Sequence, residues 1–257
     1  LVHDHVLTDA GLAEYADLFK GSDEDDARGD ASTGYTRIPR WSRVPQRARH
    51  VLGEDLRLIY VLREPVSRIV SHHHHVLSNE PCAKLVDDFV REEQFYTLDT
   101  CRYATQLETW LEEFPLENCR VLIFEEFVKD RRAVIDDLSG FLGFEPRLDK
   151  IDTEARYNAA DNRSRDSGLI TKLRDSALYD KIRPLISAGA RDRFRRALMP
   201  KAPPPPPPPS AETVERILET LDQDHRRLAE LLGRPYPIWD PDKTRQKFEE
   251  RRRTHAS

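Results

Sequence analysis

Apolar residues recur along this chain in two patterns, one typical of helices and one typical of buried strands. Residues 57–62 (RLIYVL) and 120–124 (RVLIF) are short, nearly continuous apolar runs, as in parallel strands covered on both faces. Helical spacing predicts further elements at 10–20, from Pro65 to about Leu77, and at 83–94, 101–114, 134–142 and 169–187. Helices that alternate with apolar strands predict an α/β fold with a parallel sheet. Only two strands are evident, so we expect the first strand to precede Leu1.

Beyond Pro146 the sequence is polar and helical. Seven prolines at 203–209 predict a stiff polyproline spacer rather than a docking ligand. Ser210 is a helix N-cap residue, and the helix that it begins should run to Leu232 and end at Gly233. We interpret residues 1–257 as one domain, with an α/β part (1–145), a helical part (146–240) and a basic tail (241–257). Residues 243–253 carry six basic and two acidic residues, and we expect them to form a solvated helical or frayed end.

Composition excludes several classes of protein. The formal net charge of the 257 residues is −5, whereas a domain that binds nucleic acid over much of its surface is usually strongly basic. No apolar run approaches the roughly 20 residues that span a bilayer. The chain has three cysteines, an odd number, at Cys82, Cys101 and Cys119. They lack C-x-x-C spacing, so neither a structural zinc site nor a disulfide framework is expected. A reducing compartment fits this cysteine usage best.

The segment GDASTGYT (29–36) matches the spacing of a nucleoside-triphosphate loop except that Tyr35 replaces the lysine. Such a loop needs the lysine charge, an apolar strand before it and a helix after it. The flanking sequences are DEDDAR and IPRW. We therefore do not interpret this segment as a triphosphate loop.

A candidate phosphate site follows the first predicted strand. Arg63 comes directly after Leu62, at the edge of the sheet where open α/β folds bind ligands. Ser71 lies eight residues further on, about two turns into the helix that begins at Pro65. A guanidinium fork and a hydroxyl group suit a phosphate monoester. The alternatives are a surface ion pair for Arg63 and a hydroxyl bonded to its own helix for Ser71.

The segment LREPVSRIVSH (62–72) resembles the 3′-phosphate-binding segment of sulfotransferases that use 3′-phosphoadenosine 5′-phosphosulfate. GDASTGY (29–35) resembles the G-E-x-S-P-x-Y segment of the carbohydrate and heparan-type branch of that family. Residues 101–127, FLGF (141–144) and LLGRPYPIW (231–239) resemble its later landmarks. The resemblance covers roughly residues 10–240.

This resemblance implies a three-layer, P-loop-like sulfotransferase fold with 3′-phosphoadenosine 5′-phosphosulfate as co-substrate and no metal. Arg63 and Ser71 would hold the 3′-phosphate. Arg68 lies between them and is a further candidate, and His72 would line the rim of the nucleotide site. The acceptor would be a hydroxyl or amine, most plausibly on a carbohydrate.

Two departures from the family pattern affect the catalytic assignment. The family's K-x-G-T-T loop, which binds the 5′-phosphosulfate, and the Glu or His base that follows it have no match in these 257 residues. We expect residues before Leu1 to supply them. Ala31 also stands where heparan-type enzymes often carry a lysine. The loop at 157–168 is the candidate substitute, through Asn158, Asn162, Arg163 and Arg165, and Arg163 is our candidate there for nucleotide binding.

Two other functions stay open. One is a sulfotransferase-like module that binds nucleotide or glycan without transferring anything. The other is a nucleotide kinase, which would need Mg²⁺ and a lysine-bearing loop. The abundance of Arg, Asp and Ala favours a bacterial cytoplasmic protein, with a Golgi-lumen enzyme as the alternative.

Four consecutive histidines, His72 to His75, follow the candidate site. Each residue of a helix advances about 100°, so the four side chains cannot converge on one metal ion. We expect a solvated helix surface.

Overall fold

A computed structural model of the chain describes residues 1–23, 26–79, 85–145 and 206–256. Two parallel strands, β1 (Leu58–Leu62) and β2 (Cys119–Ile123), pair in register, with Tyr60 opposite Val121. Twelve helices and strands are numbered here in chain order within the described ranges. The helices are α1 (Asp9–Asp17), α2 (Val44–Leu52), α3 (Pro65–Asn79), α4 (Val86–Glu92), α5 (Gln94–Thr97), α6 (Tyr103–Leu111), α7 (Phe124–Lys129), α8 (Arg131–Leu142), α9 (Ala211–Leu231) and α10 (Pro241–Ala256).

Short 3₁₀ turns connect several of these elements, at Asp4–Leu7, Thr33–Thr36, Asp99–Cys101 and Leu116–Asn118. Both predicted strands and the predicted helices of the described part are confirmed to within a few residues. The parallel pairing confirms the predicted α/β fold. The predicted helix at 169–187 lies outside the described residues, as do the first three prolines of the run, at 203–205. Within the described ranges, no helix is both long and apolar enough to cross a membrane.

Sequence signals at the helix ends act as predicted. The Ser210 hydroxyl accepts a hydrogen bond from the Thr213 backbone N–H at 3.1 Å, which caps α9. Gly143 ends α8 with a φ of +79°, a conformation that a residue with a Cβ adopts only at an energetic cost.

Helix α9 packs in two of the core clusters. Its residues Val214, Ile217 and Leu221 pack in one cluster with α3, α4 and α10. Leu228, further along α9, packs with α6 and with the Leu62 and Ile123 side of the sheet. The other face of β2 meets α8, where the Arg120 guanidinium lies over the Phe141 ring. These contacts fix the carboxyl ends of β1 and β2, which is where the candidate site lies.

The basic tail is a helix whose residues are mostly exposed, which is one of the two expected forms, but two of its side chains are buried. Residues 241–256 form α10, and Phe248 on this helix is fully buried in the cluster with Val66 and Ile69 of α3. This aromatic residue helps to anchor a highly charged helix, because burying a phenyl ring contributes about 1.5–3 kcal/mol. Helix α10 therefore lies against α3.

Candidate active site at the carboxyl ends of the strands

Arg63 lies at the carboxyl end of β1, as the sequence predicted. Its guanidinium carbon is 5.0 Å from the centroid of the Phe124 ring, at the corresponding end of β2. Its backbone carbonyl accepts a hydrogen bond from the Tyr103 hydroxyl at 2.7 Å. Arg63 forms no ion pair with any residue that the structure describes. Within the described ranges, the surface ion pair that was the alternative for Arg63 is not formed, and the phosphate-binding role of Arg63 stays a prediction.

Glu64 fixes the turn from β1 into α3. Its carboxylate is 94% buried and accepts hydrogen bonds from the backbone N–H groups of Val66 and Ser67, each at 2.8 Å, and from the Ser67 hydroxyl. The Glu64 carboxylate thus satisfies the first free N–H groups of α3 and complements its dipole. The Glu64 backbone N–H in turn donates to the Glu125 carboxylate at 3.1 Å.

Glu125 connects this turn to the C-terminal part of the chain. Its second carboxylate oxygen accepts a hydrogen bond from the Trp239 indole N–H at 3.0 Å. The Trp239 ring also lies 5.6 Å from the Tyr103 ring, centroid to centroid. Both acidic residues at this edge of the sheet therefore use carboxylate oxygens to bind N–H groups.

Ser71 lies on α3, half-buried, four residues after Ser67 and on the same face of the helix. The hydroxyls of Ser67 and Ser71 therefore lie on one side of α3, about one and two turns after Arg63. This placement is the one that the phosphate-site prediction requires. The binding role of Ser71 stays a prediction.

Arg68 projects from a different part of α3. Its Nη1 atom donates to the Thr100 hydroxyl at 2.8 Å and lies 3.5 Å from the Cys101 sulfur. These contacts hold the 3₁₀ turn Asp99–Cys101 against α3. Burial raises the pKa of the Cys101 thiol, and the Arg68 guanidinium acts against that rise. Arg68 is thus engaged within the protein, and nucleotide binding by Arg68 stays a prediction. Arg163, with Asn158, Asn162 and Arg165, lies outside the described residues.

Lys247 of α10 also reaches this edge, and the sequence reasoning did not find it. Its Nζ atom donates to the Ser67 hydroxyl at 2.7 Å. Burial lowers the pKa of Lys247, Glu64 raises it, and Arg251 and Arg63 lower it further. The available signal was the spacing of Thr244 and Phe248, which are four residues apart and both buried, and which orient this helix.

Contacts from α6 and α9 hold the Tyr103 side chain in place beside the site. Its ring stacks on the His225 ring at 5.6 Å. The Asp224 carboxylate, which is 98% buried, caps α6 by accepting from the Ala104 and Thr105 backbone N–H groups, each at 3.0 Å. The Tyr103 hydroxyl that binds the Arg63 carbonyl is therefore fixed by both α6 and α9.

The GDASTGY segment places Asp30 between two phenols. The Asp30 carboxylate accepts hydrogen bonds from the Tyr15 hydroxyl at 3.2 Å and from the Tyr35 hydroxyl. Burial, aided by the charge of Asp30, raises the pKa of Tyr15 to about 12. Thr33–Thr36 is a 3₁₀ turn rather than the start of an α-helix. This geometry agrees with rejecting the triphosphate-loop interpretation.

The four histidines differ from the solvated surface that was expected. His73 is fully buried and His74 is 93% buried, whereas His75 is exposed. The His72 ring lies 5.2 Å from the Tyr96 ring, and burial, with the charges of Arg68 and Arg37, lowers the pKa of His72 to about 4. The prediction of a solvated surface was wrong because α4 and α5 cover this part of α3. Among the described residues, no three His, Cys, Asp or Glu side chains are grouped as metal ligands.

Comparisons with known proteins identify the family of this chain. The sulfotransferase domain family matches residues 45–199. Heparan sulfate glucosamine 3-O-sulfotransferase 3A1 of Mus musculus is 29% identical over 143 residues, which are 52% of this chain and 35% of that protein. Heparan sulfate glucosamine 3-O-sulfotransferase 6 of Homo sapiens is 28% identical over 111 residues, 40% of this chain and 32% of that protein. The chain spans about a third of the length of these curated relatives.

A solved structure shares the fold. The crystal structure of a sulfotransferase from Alicyclobacillus acidocaldarius superposes with a TM-score of 0.53 at 20% identity, covering 88% of this chain and 73% of that one. The family match includes Arg63, Arg68 and Ser71 and extends over more than half of the chain. The chain therefore belongs to the sulfotransferase domain family.

Proposed function

We propose that the protein transfers a sulfuryl group from 3′-phosphoadenosine 5′-phosphosulfate to a hydroxyl or amine of a carbohydrate. One observation carries this proposal. Arg63 lies at the carboxyl end of a parallel strand with no carboxylate partner among the described residues, and the helix that follows presents Ser71 two turns later. Ligands of open α/β folds bind at this edge.

The chemistry of the 3′-phosphate fits these residues. Arg63 can donate two parallel hydrogen bonds to a phosphate group, and hydrogen bonds between two ionised groups are roughly twice as strong as neutral ones. The packing of Arg63 against Phe124 orients the guanidinium before the ligand arrives. The Ser71 hydroxyl would donate to the same phosphate.

In the transfer step, the acceptor oxygen or nitrogen forms a bond to sulfur while the bond between sulfur and the phosphate oxygen breaks. Adenosine 3′,5′-bisphosphate leaves with the electron pair of that bond, and the acceptor loses a proton to a base. Among the described residues, candidates exist only for holding the nucleotide in place. The base has no assigned residue.

A carbohydrate acceptor is supported by the relatives, which are named as heparan sulfate glucosamine sulfotransferases. These names describe those proteins, and the segment that each shares with this chain covers only part of it. For this protein we therefore propose only that the acceptor is a hydroxyl or amine of a sugar.

The test is a transfer assay with ³⁵S-labelled co-substrate and a panel of acceptors that includes N-sulfated and unsulfated heparan chains, a neutral oligosaccharide and a simple phenol. Incorporation of label into a saccharide, lost in Arg63→Ala, is the expected result. Transfer to the phenol alone would contradict the carbohydrate acceptor. Nucleotide binding with no transfer to any acceptor would favour the non-catalytic module.

A further inference from the structure

We propose that Lys247 is a second cationic ligand of the nucleotide's 3′-phosphate, which it reaches from α10 beside Ser67. This inference rests on the proposed function, since it assigns a further residue to the same nucleotide site. Lys247 lies outside the region that matches the sulfotransferase domain family, so the comparison gives it no role.

The position of Lys247 is fixed by its helix. Phe248, the next residue, is fully buried between α3, α4 and α9, and Thr244 is 96% buried. Arg245 binds the Glu215 carboxylate of α9 through two hydrogen bonds, of 2.7 and 2.8 Å. These contacts hold α10 against α3, so the ammonium group of Lys247 stays over the first turn of α3.

The hydrogen bonds at this edge leave Arg63 and Lys247 without an ion pair among the described residues. The Glu64 carboxylate binds two backbone N–H groups and the Ser67 hydroxyl, and the Glu125 carboxylate binds one backbone N–H and the Trp239 indole. Neither Arg63 nor Lys247 forms an ion pair with a residue of the described ranges. Two cations thus face the same edge of the sheet while the acidic groups beside them are occupied.

The contact between Lys247 and Ser67 places the ammonium along the line of the predicted site. Ser67 lies between Arg63 and Ser71 in the sequence, on the face of α3 that carries Ser71. The Ser67 hydroxyl donates to Glu64 and accepts from Lys247, which leaves the other two protons of the ammonium group for a ligand. A phosphate dianion held by Arg63 and Ser71 would offer oxygen acceptors for them.

The charged residues around Lys247 support this arrangement. Burial lowers the pKa of Lys247, the Glu64 and Glu125 carboxylates raise it, and repulsion from the guanidinium groups of Arg251 and Arg63 lowers it. A bound phosphate dianion would relieve that repulsion.

The test is a calorimetric titration with adenosine 3′,5′-bisphosphate and with adenosine 5′-monophosphate, which lacks the 3′-phosphate. Lys247→Gln keeps a hydrogen-bond donor near Ser67 and removes the charge, and Lys247→Arg restores the charge. We expect Lys247→Gln to bind the bisphosphate about tenfold more weakly and the monophosphate with less than threefold change, and we expect Lys247→Arg to recover most of the loss.

Lys243→Ala is the matched control, because Lys243 lies one turn earlier on α10, is exposed as Lys247 is, and pairs with Asp240 at 3.7 Å rather than with a residue of α3. It should bind both nucleotides as the unaltered protein does. Wild-type affinity for both nucleotides in Lys247→Gln, together with a loss of bisphosphate binding in Arg63→Ala, would overturn the role of Lys247 and leave the proposed function intact. If the unaltered protein does not prefer the bisphosphate, both proposals fail.

Discussion

The ammonium group of Lys247 donates a hydrogen bond of 2.7 Å to the hydroxyl of Ser67, although 180 residues separate them in the sequence. This bond joins α10 to the first turn of α3, directly beside Arg63. The end of the described chain therefore contributes to the same edge of the sheet as the segment that carries the family's phosphate-binding pattern.

Replacement of Arg63 by alanine should weaken the binding of adenosine 3′,5′-bisphosphate by roughly 2 to 4 kcal/mol, since a charged and bidentate contact is lost. Isothermal calorimetry measures this directly. Arg57→Ala is the matched control, because Arg57 precedes the same strand at its opposite end, is exposed, and binds Asn118. Equal affinity in the two variants would refute the assignment of Arg63.

Replacement of Glu64 by alanine should destabilise the fold by about 1–3 kcal/mol, because two backbone N–H groups of α3 would lose their buried acceptor. Urea unfolding gives the free energy of unfolding. Glu112→Ala, at an exposed position after α6, should change that free energy by less than about 0.5 kcal/mol. A Glu64 variant as stable as the Glu112 variant would show that the carboxylate does not cap α3.

Replacement of Phe248 by alanine should cost about 3–5 kcal/mol of unfolding free energy, as expected for a fully buried phenyl ring. The exposed Leu116 supplies a comparison, since it is 45% exposed and its replacement should cost much less. A loss below about 1 kcal/mol for Phe248→Ala would mean that α10 does not pack on α3 as described.

Protein stability should fall as the pH decreases from about 6.5 to about 4 in a way that depends on His72. The folded state holds the His72 pKa at about 4, below the usual value of 6.5, so the unfolded chain binds the proton first. Stability from the neutral ring is complete above pH 6.5 and is lost progressively down to pH 4, by at most about 3 kcal/mol.

His72→Gln removes this titration, so the variant should lose less stability than the unaltered protein over the same range. Urea unfolding at pH 8, 6, 5 and 4 measures the difference, with pH 8 as the internal reference, where His72 is neutral in both states. Parallel stability profiles for the two proteins would show that the His72 ring is not buried as a neutral group.

Local patterns were enough to predict the strands, most helix ends and the position of Arg63. Leu58–Leu62 is an apolar run followed by a proline of the kind favoured in the first turn of a helix, so the placement of Arg63 follows from short-range chemistry. The same reasoning placed Ser71 on the helix, since its distance from Pro65 fixes its turn.

The burial of the histidines and the position of Lys247 depend on which helices pack together. A pattern of residues within one helix does not contain that information. His73 is a polar residue in a polar stretch, and it is buried because the Phe89 ring of α4 packs on it at 4.9 Å, centroid to centroid. Lys247 looked like one charge among many in the tail. Its place beside Ser67 follows from the burial of Phe248, which is a long-range contact.

The most direct measurement is a calorimetric titration of the protein with adenosine 3′,5′-bisphosphate and with adenosine 5′-monophosphate. The account predicts that the bisphosphate binds at least about tenfold more tightly, a difference of about 1.4 kcal/mol, because Arg63 and Ser71 bind the 3′-phosphate. Equal affinities for the two nucleotides, or binding of neither, would contradict it.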